Sequence, residues 1–377
     1  MTGTDGFRIF PVNLQPERRR MRRLSHIKAD SIHDMTYSVL IPVYNRPDEV
    51  RELLESLAGQ RFTDFEVIVV DDGSTRPCAD VVRAYAGRLD VRYFAKPNSG
   101  PGPTRNYAAA RAQGTYLLIL DSDVVLPPDY LQHIQEELQQ APCDAFGGPD
   151  RAHPDFTPVQ KAINYAMTSF FTTGGIRGGK HKLDKFYPRS FNMGMRRDVF
   201  SALGGFSDMR FGEDIDLSTR LIRGGYVSRL MPEAWVWHKR RVDFRKFFRQ
   251  VHNSGIARIN LTKRHPGTLK LVHLLPAVFT VGCVLLVLLF VLGLVLTLCG
   301  AGGSWLMVVG AAPLLLFALI IATDAACRNH SLTIGLIAVV ASYVQLLGYG
   351  SGFLRAWWRR CVLGRGEFEA FTKNFYK

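Results

Sequence analysis

The sequence predicts an α/β domain built on a mostly parallel sheet, followed by helices apolar enough to enter a membrane. Three observations predict it. Short apolar runs alternate with helical patterns between Ser38 and Leu120. Two of those runs close on paired acids. From about Leu271 onward the chain turns strongly apolar. Strands that alternate with helices imply parallel pairing and right-handed crossovers. Ligands of such sheets bind beyond the carboxyl ends of the strands.

The elements follow in order. Ser38–Val43 (SVLIPV) is a buried-strand run, and Pro47 opens a helix in which Val50, Leu53, Leu54 and Leu57 recur at helical spacing. Glu66–Val70 (EVIVV) is the second strand, closed by Asp71-Asp72-Gly73-Ser74. A helix is expected around Asp80–Tyr85, a strand over Val91–Ala95, and a third helix over Thr104–Ala112, starting at Thr104 or Pro103. Tyr116–Leu120 (YLLIL) is the fourth strand and ends on Asp121-Ser122-Asp123. Thr172–Lys185 is a Gly- and Lys-rich loop, Ile215–Arg223 a helix after Glu213-Asp214, and Val242–Leu261 a basic amphipathic helix.

This divides the 377 residues into a basic N-terminal tail (1–35), an α/β domain (36–240) and an amphipathic juxtamembrane helix (241–270). A membrane region of about three spans (271–356) and a basic C-terminal tail (357–377) complete it. The expected spans are His273–Leu298, Ser304–Thr323 and Leu332–Leu354, each near the ~20 residues that cross a bilayer. Gly348 and Gly352 have G-x-x-x-G spacing, suited to close helix packing. Lys263, Arg264 and Lys270 place the start of the first span in the cytoplasm. Arg355, Arg359 and Arg360 favour the same side, which three full crossings would deny them. A re-entrant or interfacial span would remove the conflict.

The net charge of +14 gathers near the apolar segments and in the N-terminal tail. That placement points to anionic lipid, and the absence of zinc-finger spacing and of basic–aromatic runs in the α/β part argues against nucleic acid. The six cysteines form no C-x-x-C pair, so neither a disulfide framework nor a zinc site is expected. Met1–Asp34 has no apolar core of a signal peptide. Gly178-Gly179-Lys180 is followed by His181, so no P-loop is present, and no dinucleotide fingerprint or nucleophile elbow appears. The spans carry almost no charge, against a transporter.

Asp121 and Asp123 flank one small residue at a strand end. They fit two readings: a strand-to-loop cap, or a pair sharing a hard divalent cation on a diphosphate. Asp72 reads as a turn residue or as an acceptor of hydrogen bonds from a base or ribose. Glu213-Asp214 reads as a helix cap or as a base for an acceptor hydroxyl. His238, between Trp237 and Lys239, reads as a packed strand histidine or a third metal ligand.

Taken in order, these segments resemble the family-2 glycosyltransferases. The likeness runs from about Ser38 to His238. It is carried by SVLIPVYNRPD, LAGQRFTDFEVIVVDDGS, NSGPGPTRN, the DSD triplet, PRSFNMGMRRDVFSALGGFSD and FGEDIDLSTRLIRGGY. The resemblance implies a GT-A fold and a nucleotide-diphospho-sugar donor, with a lean to UDP. It implies nucleotide binding by Pro42, Tyr44, Asn45, Asp72, Arg105 and Asp121. It implies Mn²⁺ or Mg²⁺ held by Asp121 and Asp123, with His238 as a ligand found in only some related enzymes. Asp214 becomes the general base with Glu213 beside it, in an inverting displacement. The processive Gln-x-x-Arg-Trp motif is missing around Phe247–Asn253, which favours single-sugar transfer. The acceptor expected is a hydroxyl of a lipid-linked or surface glycan. The location expected is the inner membrane, multi-pass, with the catalytic domain facing the cytoplasm. A polyprenyl-phosphate sugar synthase and a non-catalytic scaffold are the alternatives.

Overall fold

A computed structural model describes residues 36–153, 155–173, 186–240 and 243–367. The N-terminal tail, residues 174–185 of the Gly- and Lys-rich loop and the last ten residues of the C-terminal tail lie outside them.

Strands and helices alternate at first: β1 (Tyr37–Val43), α1 (Pro47–Ala58), β2 (Phe65–Asp71), α2 (Ala79–Arg83), β3 (Asp90–Ala95), α3 (Pro101–Ala109) and β4 (Tyr116–Leu120). Then come β5 (Val124–Val125), α4 (Tyr130–Gln140), β6 (Ala145–Gly147), β7 (Asp150–Arg151), α5 (Pro158–Thr168), α6 (Phe170–Thr173), β8 (Asn192–Arg196) and α7 (Arg197–Ala202). The remainder is α8 (Glu213–Arg223), β9 (Ser228–Leu230), β10 (Val236–His238), α9 (Phe244–Arg264), α10 (Leu275–Leu298), α11 (Ser304–Asn329) and α12 (Leu332–Trp357).

The large sheet has the order β3-β2-β1-β4-β8-β6-β9. Its four N-terminal strands are parallel, and β8 enters antiparallel between β4 and β6. Central parallel strands are covered on both faces, so they read as continuous apolar runs. Val39, Ile41, Val67, Val69 and Leu118 face one core with α1, α2 and α4; Leu40, Ile68, Val70, Leu117 and Ile119 face the other with α3, α7 and α8. Pairing of β1 with β4 stops at Leu40. Pro42, which has no N–H to give a ladder, therefore sits past the last β4 bond. A second sheet, β5-β10-β7, lies at the carboxyl end. Its strands are two or three residues long, too short to show a period in sequence.

Some boundaries differ from expectation. The third helix starts at Pro101, not at Pro103 or Thr104. Gly100 turns the chain at φ 94°, and Pro101 takes the first helical position, where its missing N–H costs nothing. The basic amphipathic helix runs over Phe244–Arg264 and is capped by Asp243, whose side chain accepts from the Lys246 amide.

Among the described residues, three helices are long and apolar enough to cross a membrane. Gly348 and Gly352 do admit a close helix, but that helix is α9. A Cβ on Gly352 would stand 2.0 Å from the His252 carbonyl oxygen, and one on Gly348 2.5 Å from Val251.

Candidate active site

The carboxyl ends of β1, β2 and β4 meet at one edge of the sheet. Asn45 follows β1 in the left-handed region, at φ 55°. Its amide donates to Ser74 Oγ at 2.8 Å, and its Oδ1 accepts from the Arg76 amide at 2.9 Å. That ties the end of β1 to the turn after β2. Asp72 in this turn is buried. Its Oδ1 accepts from Lys96 and from the Ser99 amide (2.9 Å), and its Oδ2 from the Gly100 amide (2.8 Å). Gly73 has φ 76°, and a Cβ there would meet the Asn98 nitrogen at 2.9 Å, so only glycine allows this approach.

Beyond β4, ligand atoms of Asp121, Asp123 and His238 lie within 4.8 Å of one another. β10 brings His238 there by pairing with Val124 of β5. The imidazole stacks on Phe191 at 5.0 Å, and its Nε2 lies 3.3 Å from Asp123 Oδ1. Its buried Nδ1 has no hydrogen-bond partner among the described residues. Two carboxylates and one imidazole make an oxygen-rich donor set of the kind that suits Mn²⁺ or Mg²⁺. The residues therefore fit a divalent ion. Asp123 Oδ2 is taken by Arg46, which leaves Oδ1 towards the cluster.

The acid pair stands across from this cluster at the start of α8. Gly212, left-handed at φ 79°, precedes it. Glu213 and Asp214 enter the first turn, where the helix dipole favours negative charge. Arg105 is buried between the two groups: Nη2 donates to Asp121 Oδ1 and Nη1 to Glu213 Oε1, both at 2.7 Å. Burial, and after it the neighbouring Asp214, push the Glu213 carboxyl up to about 7 against the pull of Arg105. Burial works against an ionised Asp214 as well. Arg189, which donates to its Oδ2 at 2.7 Å, and the Ile215 amide outweigh it and hold Asp214 below the ordinary carboxylate range.

Residues 38–204 match the family described as Glycosyl transferase family 2. Those residues form a family-2 glycosyltransferase domain. Over 135 residues, 34% of this chain, it is 37% identical to the poly(ribitol-phosphate) beta-N-acetylglucosaminyltransferase TarS of Staphylococcus aureus, of which 22% is matched. Over 233 residues, 54% of this chain, it is 30% identical to the validoxylamine A glucosyltransferase of Streptomyces hygroscopicus subsp. jinggangensis, of which 55% is matched. The chain thus spans between about a fifth and just over half of these relatives. The fold is GT-A-like: the mannosyltransferase PcManGT from Pyrobaculum calidifontis, in complex with GDP-Man and Mn²⁺, is similar at TM-score 0.54 and 16% identity. That likeness covers 92% of this chain and 97% of the other.

At this sheet edge, Asn45 and Asp72 share one turn system, and Asp121, Asp123 and His238, the last beyond the matched residues, form one cluster. Arg105 connects that cluster to Glu213. Pro42 and Tyr44 lie half-buried at the end of β1 and just beyond it. Sequence reasoning did not single out Arg46 on Asp123, Lys96 on Asp72, Arg189 on Asp214, or Asp150, which Arg240 meets at 2.5 Å. Arg46 and Arg189 stand inside the quoted segments YNRPD and PRSFN, which was the available signal. Arg220, another unassigned residue, braces α8 by donating to Asp216 and to the Leu203 and Gly205 carbonyls.

Proposed function

We propose that this chain is a membrane-anchored, inverting transferase. It moves one sugar from a nucleotide-diphospho-sugar, UDP-linked, to a hydroxyl of a lipid-linked or surface-glycan acceptor. The observation that carries the reading is Arg105, one guanidinium joining the Asp121 side of the site to the Glu213–Asp214 pair. A displacement needs those two halves: one to receive the leaving diphosphate, the other to receive a proton. The names of both sequence relatives describe sugar transfer, and that of TarS names a poly(ribitol-phosphate) acceptor.

Asn45, Pro42 and Tyr44 would line the nucleotide base and ribose at the end of β1, and Asp72 would shape the same pocket by holding the turn into α3. Asp121, Asp123 and His238 would hold Mn²⁺ or Mg²⁺, which when bound screens the charge that grows on the leaving diphosphate. Asp214, kept ionised by Arg189, takes the acceptor hydroxyl proton. The acceptor oxygen then bonds to the anomeric carbon as the bond to the diphosphate oxygen breaks. One displacement inverts that centre. The catalytic domain would face the cytoplasm at the inner membrane.

The test uses the full chain in detergent with UDP-, GDP- and dTDP-sugars, membrane lipid as acceptor source, and Mn²⁺, Mg²⁺ or chelator. Metal-dependent transfer from one donor, lost in Asp123→Ala and Asp214→Asn, is expected. Transfer that survives Asp214→Asn would favour a polyprenyl-phosphate acceptor, since a phosphate needs no proton removed. No transfer and no donor binding would favour a scaffold.

A further inference from the structure

The three apolar helices are not equivalent. α10 and α11 form an antiparallel hairpin in regular register. A Cβ on Gly293 would meet the Gly303 oxygen, one on Gly310 the Leu286 oxygen, and Phe279 lies 5.1 Å from Phe317. α12 does not continue that register. Its Gly335 packs on Ala322 and Ala326, its Tyr343 on Phe279 and Phe317, and its Gly350 on Pro276. Pro276, Phe279, Phe317 and Ala322 all lie in the half of the hairpin away from its 299–303 tip. While α12 advances from Gly335 to Gly350, its contacts stay at that base, so it lies across the hairpin rather than along it.

The other side of α12 is covered by the sheet domain. Ala162, Ile163 and Ala166 of α5 share a core with its Ile334, Ala338 and Ala341. α9 then follows it: Gly255 against the Tyr349 oxygen, His252 Nδ1 3.1 Å from Ser351 Oγ, and Lys263 Nζ donating to the Arg360 carbonyl at 2.6 Å. α9 exposes Arg245, Lys246, Arg249, Lys263 and Arg264. A helix carrying those charges cannot follow α12 through hydrocarbon. The composition agrees: mean hydropathy falls from 3.1 for α10 to 2.5 for α11 and 1.8 for α12, while the buried share rises from 6% through 17% to 39%.

We infer that, of these three helices, α10 and α11 cross the membrane, and that α12 lies in its surface on the side of the sheet domain. The inference rests on the membrane-anchored reading above. It places Lys270, Arg328, Arg355, Arg359 and Arg360 on one side, as the bias of basic residues requires. The exposed Trp357 and Trp358 are residues suited to the headgroup region, and the exposed Phe170 and Phe171 of α6, which touches α12, suit the boundary with the acyl chains. The surface helix is also coupled to the site. α12 supports α9, and Ala257 and Leu261 of α9 pack on Gly212, next to Glu213. The acid pair is thereby set at a fixed height above the membrane plane.

Native cysteines supply the probes. Cys299 at the hairpin tip, Cys327 near the end of α11 and Cys361 after α12 are exposed, and Cys78, Cys143 and Cys283 are buried. Full-length variants keep one exposed cysteine each, the other two changed to Ser. Arg61→Cys in the chain lacking all three marks the side of the sheet domain. Sealed vesicles of both orientations are treated with a membrane-impermeant maleimide. Cys327, Cys361 and the Arg61→Cys variant are expected to label in one orientation, and Cys299 in the other. Cys361 labelling together with Cys299 would overturn the inference in favour of three crossings. Labelling of all four from one side, with release by alkaline carbonate, would instead remove the membrane-anchored reading. An epitope after Lys377 in the otherwise unaltered chain, digested from the same side as the sheet domain or from the opposite one, decides the matter if a cysteine variant folds poorly.

Discussion

Two strand ends in this molecule carry acids, and they are built for different purposes. Asp72, after β2, has its oxygens on the Lys96 ammonium and on two backbone amides of the turn into α3. Its charge is neutralised and its geometry is spent on holding a loop. Asp121 and Asp123, after β4, lie within reach of each other and of His238. Their basic neighbours, Arg105 and Arg46, come from elsewhere in the chain. A carboxylate satisfied by backbone amides is part of the scaffold, whereas two carboxylates and an imidazole drawn together still have donor capacity for a cation. The same residue type at the same topological position braces a loop in one case and, in the other, joins three donor groups around one point. Burial alone does not separate them, since Asp72 and Asp123 are both buried.

That contrast can be broken by experiment. The largest effect is expected at the acid pair opposite the cluster. Asp214→Asn keeps an oxygen for Arg189 but removes the base, and should lower kcat of transfer by about 10²–10⁴-fold. The melting temperature in detergent should stay close to wild type, and a drop of many degrees would mean that Asp214 is mainly a helix cap. Asp123→Ala should cost about 10²–10³-fold in turnover, the scale of losing one group that stabilises developing charge. Its cost in stability should be small, because the Arg46 side chain is 30% exposed and can turn to water. Metal titration by calorimetry should show weakened binding in the same variant.

Asp72→Ala should behave in the opposite way. It leaves Lys96, only 11% exposed, without its carboxylate. The expected cost is about 3 kcal/mol in denaturant unfolding, the scale of breaking a buried pair from one side. If Asp72→Ala proves neutral for folding while Asp123→Ala unfolds the domain, the contrast drawn above is the wrong way round.

The smallest effect is a pH dependence. Glu213 is pushed up to about 7 by burial, so it takes up a proton as pH falls through that value and loses its charge towards Arg105. Asp214 is held low by Arg189 and stays ionised over the same range. The kcat/KM profile should therefore fall on the acid side of about 7, reaching about a tenfold loss one unit below it. In Glu213→Gln that limb should vanish, leaving a lower, flat profile between pH 6 and 8. A limb that persists unchanged would assign the titration to another group.

The central strands are legible in the chain's own pattern, because a strand buried on both faces must be an uninterrupted apolar run, as LIPV, VIVV and YLLIL are. The same pattern determined α1 through its spacing of Val50, Leu53, Leu54 and Leu57, and the strand-end positions of Asp72, Asp121 and Asp123 through the acids that close those runs. It also singled out Asp214, Glu213 and His238, though not which of them meet. Long-range packing, by contrast, is what makes β10, a three-residue strand, carry His238 to Asp123, and makes Arg105 and Glu213, 108 residues apart, share an ion pair. It alone decides that Gly348 and Gly352 receive α9 and not another apolar helix. Hydropathy records how much apolar surface a helix has, not what covers it. The covering of α12 by α5 and α9 is a long-range contact with no local period, so it leaves no mark on the sequence that a window of residues can read.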